Sequence, residues 1–235
     1  MKKLFLLVIF MTGALGLSRS QACTGITLQT IDSIIVTART IEWAAEPLTA
    51  MYVVVPRGQK QCSWLPDGTH HGKSFTSEYG YVGIAVENDA FIMEGINEAG
   101  LGVGLFYFPQ YGEYQPYDPQ KKEQSVSDMQ LAAWILSSFA SINELQAAMP
   151  QIRVIATDPR ASTVHWRITE SSGRQVVLEI VNQHVHFYEN PLGVLTNSPD
   201  FGWHLTNLNN YVNLSAGSIN HRQVGRLNLN AFGGG

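Results

Sequence analysis

From Thr24 onward the chain reads as short runs of alternating apolar and polar residues, punctuated by glycine and turn residues and broken once by a helical stretch. TGITLQT and SIIVTART flank a two-residue turn at Asp32-Ser33. MYVVVP (51–56), YGYVGIAV (79–86), FIMEGI (91–96) and GVGLFYF (102–108) follow, with NEAG (97–100) as the turn between the last two. A polar loop follows residue 56, and residues 110–124 read as a long surface loop. Ser127 is placed to cap DMQLAAWILSSF, and Ser141 with Glu144 forms a capping box for a second helix that Pro150 ends. Sheet resumes in TVHWRIT (163–169), QVVLEIV (175–181), HVHFYE (184–189) and GVLTN (193–197), and WHLTNLNNYV (203–212) reads as helical. Strands, then two helices, then strands without regular alternation predict an α+β domain of largely antiparallel sheets. With 235 residues, 45% hydrophobic and 14% charged, the chain can bury a sizeable core, and no repeat or linker divides it.

Residues 1–22 stand apart. Lys2 and Lys3 precede an apolar run from Leu4 to Leu17, too short to anchor a chain in a membrane, and Ser20-Gln21-Ala22 places small residues where a signal peptidase inspects. The segment is expected to be a secretory signal peptide, with the domain over 23–235 and an exported, periplasmic or secreted product of bacterial type. Its removal takes away Lys2, Lys3 and Arg19 and no acid, leaving 12 basic against 19 acidic residues and a net charge of −7. Such a chain is a poor partner for nucleic acid, and after signal removal for anionic membranes as well, because it has too little cationic charge to neutralise phosphates.

Cleavage after Ala22 makes Cys23 the first residue of the processed chain. Its thiol then lies beside a free α-amine, and the two groups titrate within about a unit of each other, so the amine can take the thiol proton. A thiolate there needs a cation beside it, the ammonium needs an anion, and a reacting carbonyl needs donors. With a two-residue turn, paired residues in the first hairpin sum to 65, which sets Cys23 opposite Glu42 and Arg39 opposite Ile26. Strict alternation puts Arg39 and Glu42 on opposite faces, so a bulge or a strand end must bring them together. Two other fates of Cys23 stay open. One is a disulfide with Cys62, natural in an oxidising compartment. The other is lipidation, although Ser20 stands where lipidation signals carry leucine. The pairs His70-His71 and His184/His186 lack an acidic or thiol partner at ligand spacing, so no metal or other cofactor is expected.

The start CTGITLQT…ARTIEW, with VVVPRG (53–58), EYGYVG (78–83), GINEAGLGVGLFYFP (95–109), STVHWRIT (162–169) and GVLTNSPDFGWHLTNLNNY (193–211), resembles the choloylglycine hydrolase and penicillin V acylase family. That resemblance implies a four-layer αββα sandwich of antiparallel sheets, the N-terminal nucleophile hydrolase fold. It implies cleavage of linear amide C–N bonds through a thioester, with penicillin V, N-acyl homoserine lactones or conjugated bile acids as the type of substrate. The family nucleophile falls on Cys23, its thiolate-side arginine on Arg39, and the aspartate that holds the α-amine on Glu42, one methylene longer. The oxyanion-hole asparagine falls on Asn197 and the backbone N–H donor on Tyr107. A later family arginine in a Ser-Arg-Phe motif has no counterpart, and the chain is expected to be truncated at its C-terminus. The implied partner is a small-molecule acyl amide, with assembly into a homo-oligomer left open. The alternative is a catalytically silent, lipid-anchored or secreted binding protein on the same fold.

Overall fold

The computed structural model describes residues 23–42, 48–158, 161–212, 222–224 and 226–229; residues 1–22, read above as a signal peptide, lie outside the described residues. In chain order the strands and helices are β1 (Thr24–Gln29), β2 (Ile35–Thr40), β3 (Ala50–Val55), β4 (Lys60–Cys62), β5 (Ser74–Thr76), β6 (Tyr81–Val86), β7 (Ile92–Asn97), β8 (Gly102–Tyr107), β9 (Ser125–Ser127), α1 (Leu131–Ser138), α2 (Ile142–Ala148) and β10 (Arg153–Ile155). They continue with β11 (Val164–Thr169), β12 (Gln175–Val181), β13 (His184–Glu189), β14 (Val194–Thr196), α3 (Phe201–Asn207), β15 (Arg222–Val224) and β16 (Leu227–Leu229).

Seven strands form one antiparallel sheet in the order β13-β12-β11-β8-β7-β6-β3, and β14-β1-β2 form a second. Helix α1 lies on β7 and β8. Its Trp134, Ile135 and Leu136 pack with Val103, Leu105, Trp166, Ile168 and Leu178 of the large sheet, and Ile142 and Leu145 of α2 join the same core. Each such side chain removed from water contributes about 1.5–3 kcal/mol. The opposite face of the large sheet meets the small one: Arg167 Nη1 donates to the Ile26 carbonyl at 3.1 Å, and a Cβ added to Gly25 would lie 2.6 Å from the Phe106 ring. Strands β8, β11 and β12 are therefore covered on both faces; β8 and β12 accordingly read as nearly continuous apolar runs, whereas β11 alternates, with His165 and Arg167 turned toward the small sheet.

Four expectations change in detail. The first hairpin turns over three residues, Ile31 to Ser33, because Ser33 takes the left-handed conformation (φ 66°) and its N–H donates to the Thr30 carbonyl. Paired residues therefore sum to 64, and Arg39 lies opposite Gly25, not Ile26. Ser127 makes no capping bond, and a 3-10 turn over 128–130 precedes α1. The capping box is met in half at Ser141, whose Oγ accepts from Glu144 N at 3.2 Å, while Glu144 reaches back to Ala140 N. The loop 110–124 is anchored by buried Tyr114, which donates to the Val164 carbonyl, and it ends in a 3-10 turn.

Contacts divide the chain after Ser198. The unit from Pro199 onward contains α3, capped by Asp200 accepting from Trp203 N at 2.8 Å, a 3-10 turn over 208–211, and the β15–β16 hairpin.

Candidate active site

Cys23 immediately precedes β1, is 6% exposed and carries a free thiol, as does Cys62. The pairs Thr24–Thr40 and Thr24–Thr196 set the register on either side. One step further, Cys23 falls between Ile41 and Asn197. It shares with Gly25 and Arg39 the face turned toward the large sheet.

Arg39 crosses from the small sheet into that inter-sheet layer. Nη1 donates to the carbonyls of Met93, at 2.9 Å, and Leu105, and Nε donates to the Thr40 carbonyl at 3.2 Å. The guanidinium lies 4.2 Å above the Phe106 ring, a cation–π contact made stronger by exclusion of water. The Met93 carbonyl is available because β7 bulges there: Glu94 pairs with Ile84 and Ile92 with Ala85, leaving Met93 as the extra residue. Burial pushes the Arg39 pKa down, while Glu94, 3.7 Å from Nη1, and then Cys23 hold it up. A guanidinium stays protonated through such a shift, so the thiol has a fixed cation beside it. Glu94 is shared with a second buried arginine, Arg167, at 3.1 Å. Its own pKa is pushed up by burial against the pull of Arg167 and Arg39. Gly104 makes room for that carboxylate, since a Cβ there would collide with it.

Asn197 follows β14 and is 8% exposed. Its Oδ1 accepts from the Tyr107 N–H at 3.0 Å, at the end of β8, and the Tyr107 hydroxyl donates to Ser162 Oγ at 2.8 Å. The two predicted oxyanion donors are thus brought together, with the Tyr107 N–H spent on the asparagine. Glu42 lies two residues beyond the end of β2, exposed, and lines the same cavity as Cys23. A strand end, rather than a bulge, lets it reach the side that strict alternation denies it. The cavity has a volume of about 670 Å³ and an apolar wall that includes Leu48, Phe91, Met93, Leu105, Met129 and Val164. All five predicted residues, Cys23, Arg39, Glu42, Tyr107 and Asn197, lie at or beside it.

A family profile described as "Linear amide C-N hydrolases, choloylglycine hydrolase family" matches residues 23–235. The chain belongs to the choloylglycine hydrolase family. It is 29% identical over 219 residues to the bile salt hydrolase/transferase of Clostridium perfringens, and 28% identical over 197 residues to the penicillin V acylase of Pectobacterium atrosepticum. Those alignments cover 91% and 78% of this chain but 64% and 50% of the relatives, so the chain spans about half to two thirds of their length. The crystal structure of a Cys-to-Ala mutant of the conjugated bile acid hydrolase from C. perfringens superposes with a TM-score of 0.72 at 28% identity, covering 90% of this chain and 64% of that one. A penicillin V acylase from Agrobacterium tumefaciens shares the fold with a TM-score of 0.66 at 22% identity, over 82% and 58% of the two chains. The fold is that of the N-terminal nucleophile hydrolases.

Within this choloylglycine hydrolase family chain, sequence reasoning missed the polar groups between the sheets: buried Arg167, His165 and Glu179, and half-buried Glu94. Their signal was a lone acid inside an apolar run (FIMEGI, QVVLEIV) or a polar face in an alternating strand (VHWRIT), where a solvated strand face was the simpler reading. Among the described residues no group of three His, Cys, Asp or Glu side chains is placed to hold a metal.

Proposed function

We propose that this chain carries the nucleophile and oxyanion side of an exported cysteine amidase that hydrolyses linear amides. The observation that carries this reading is a buried thiol, at the start of a strand, flanked by Arg39 and by the Asn197–Tyr107 pair and facing a large apolar cavity. In this reading, cleavage after Ala22 frees the α-amine, which takes the thiol proton while Glu42 holds the resulting ammonium. The Cys23 thiolate, steadied by Arg39, attacks the amide carbonyl and forms a C–S bond. The oxyanion is stabilised by Asn197. Its Oδ1 accepts from the Tyr107 N–H; in this reading its Nδ2 turns to the oxyanion, and the Tyr107 N–H adds a second donor once that bond opens. The amine leaves with the proton the α-amine has carried, and water then hydrolyses the thioester.

The cavity lies within the range of about 300–1,000 Å³ typical of small-ligand sites, and its wall suits a large apolar acyl group. The candidates are penicillin V, N-acyl homoserine lactones and conjugated bile acids. The Tyr107 ring at the wall favours phenoxyacetyl or fatty acyl amides over bile conjugates.

The test uses protein expressed from its native gene and processed at Cys23. Cys23→Ser is expected to fold and to lose roughly 10³-fold or more of kcat. A form that retains Ala22 is expected to be equally inactive while its thiol still reacts with iodoacetamide. Equal turnover by the unprocessed form would remove the α-amine from the mechanism. A kcat/KM ranking with taurocholate first would overturn the acyl preference.

A further inference from the structure

We infer that His165, held by Glu179, is a positioning residue for the oxyanion side of the site; this rests on the role proposed above for Asn197. Neither side chain is exposed, and neither has a part in the chemistry already described. They face each other across the β11–β12 hairpin, whose pairs Trp166–Leu178 and Arg167–Val177 set 165 opposite 179. His165 Nδ1 lies 3.0 Å from Glu179 Oε1, and Nε2 lies 3.0 Å from the carbonyl oxygen of Thr196. A carbonyl only accepts, so the Nε2 hydrogen points at Thr196, and one further proton lies between Nδ1 and Glu179. The imidazole stacks on Phe108, with centroids 4.3 Å apart and planes 8° apart, and meets the edge of Phe106. Its plane is fixed by stacking and its rotation by a hydrogen bond at each nitrogen.

The hydrogen bond to Thr196 crosses from the large sheet to the small one and fixes the peptide plane that leads into Asn197. Beyond it, Asn197 Oδ1 takes the Tyr107 N–H, and Ser198 N–H donates to the Tyr107 carbonyl at 3.2 Å. Residues 196–198 are thus held at three successive points. A buried His–Glu pair is a poor source of stability, since apolar side chains of the same volume commonly serve as well or better. What it supplies is direction. Oxyanion donors must hold position within about half an ångström, and a misplacement of 1 Å costs about 10²-fold in rate.

The experiment separates direction from packing. In His165→Gln the amide nitrogen can occupy the place of Nε2 and keep the bond to Thr196. In His165→Asn it can occupy only the place of Nδ1 and face Glu179. With penicillin V as substrate, His165→Asn should lower kcat about 10²-fold with KM within about threefold, while His165→Gln stays within about tenfold of wild type. Glu179→Gln, which can donate to Nδ1, should resemble His165→Gln. The Cys23 alkylation rate should be unchanged in all three. Hydrogen exchange at the Tyr107 amide gives a readout independent of activity: it should quicken about tenfold or more in His165→Asn and not in His165→Gln. Equal losses in the Gln and Asn variants, a loss confined to KM, or unchanged Tyr107 exchange in His165→Asn would each overturn the inference. Should Cys23→Ser leave turnover intact, the amidase reading fails, and the exchange measurement still decides whether His165 positions this segment.

Discussion

Asp128 gathers its donors on one oxygen: Oδ1 accepts from Met129 N and Thr157 N, each at 2.9 Å, and from Thr157 Oγ1 at 2.7 Å. These bonds favour the carboxylate, yet burial outweighs them and pushes its pKa above the usual carboxylate range. The folded state therefore binds this proton more tightly than the unfolded chain, and the group's contribution to stability is lost as pH rises through that interval. Asparagine keeps an Oδ1 for the same donors and does not titrate. Asp128→Asn is expected to stabilise the fold at pH 7, with a gain that shrinks as pH falls and vanishes by about pH 3.5, below the unfolded value of about 3.9. Urea midpoints at several pH values check this; a gain that grows toward acid would contradict it. Asp128 also lines the cavity wall, so a change in KM without a change in kcat would locate it on the acyl side.

At the level of elements, the close approach of the two sheets depends on Gly25. It sits in β1 opposite Arg39, and a Cβ would lie 2.6 Å from the Phe106 ring and 2.7 Å from Arg167 Nη1. Phe106 is fully buried and cannot swing aside. Gly25→Ala is expected to cost about 1–3 kcal/mol of stability and to lift Arg39 from the Phe106 face. The second effect should slow Cys23 alkylation near neutral pH; a variant with wild-type thermal stability and alkylation rate would refute both. The same hairpin marks how far sequence reading reaches. The strand order along the chain was legible because turn residues and alternation are local signals. Cys23 and Arg39 were read together because a thiol expected at a chain terminus demands a cation, and the structure sets the two side by side. The register missed by one because Ser33 adopts a left-handed conformation that asparagine or glycine would have signalled more clearly. His165, Glu179 and Arg167 were not legible as a buried polar layer, with half-buried Glu94 at its edge, because both sheets must be stacked before those strand positions are known to be withdrawn from water.

On the scale of the molecule, alternation leaves the small sheet with one face toward the large sheet and one that the described residues leave exposed. The solvent face carries Leu28 (58% exposed), Val36 (44%) and Val194 (44%), with Ile26 beside them and Ile34 (57%) at the hairpin end. Leu28 pairs with Val36, and Ile26 with Val194, so these side chains form a contiguous apolar strip, not scattered single exposures. Water in contact with such a strip favours covering it, and isolated soluble chains rarely expose more than a few hundred Å² of contiguous apolar surface. Residues 23–235 expressed alone should therefore self-associate as concentration rises and should bind the dye ANS. Leu28→Lys with Val36→Thr leaves the inter-sheet face untouched, so it should shift light-scattering mass toward the monomer and reduce ANS binding with little change in stability, within about 0.5 kcal/mol per site. Cys23 alkylation should be unaffected, since the thiol faces the other way. Monomeric wild-type protein at high concentration, or association that ignores the double substitution, would show that this strip does not drive self-association.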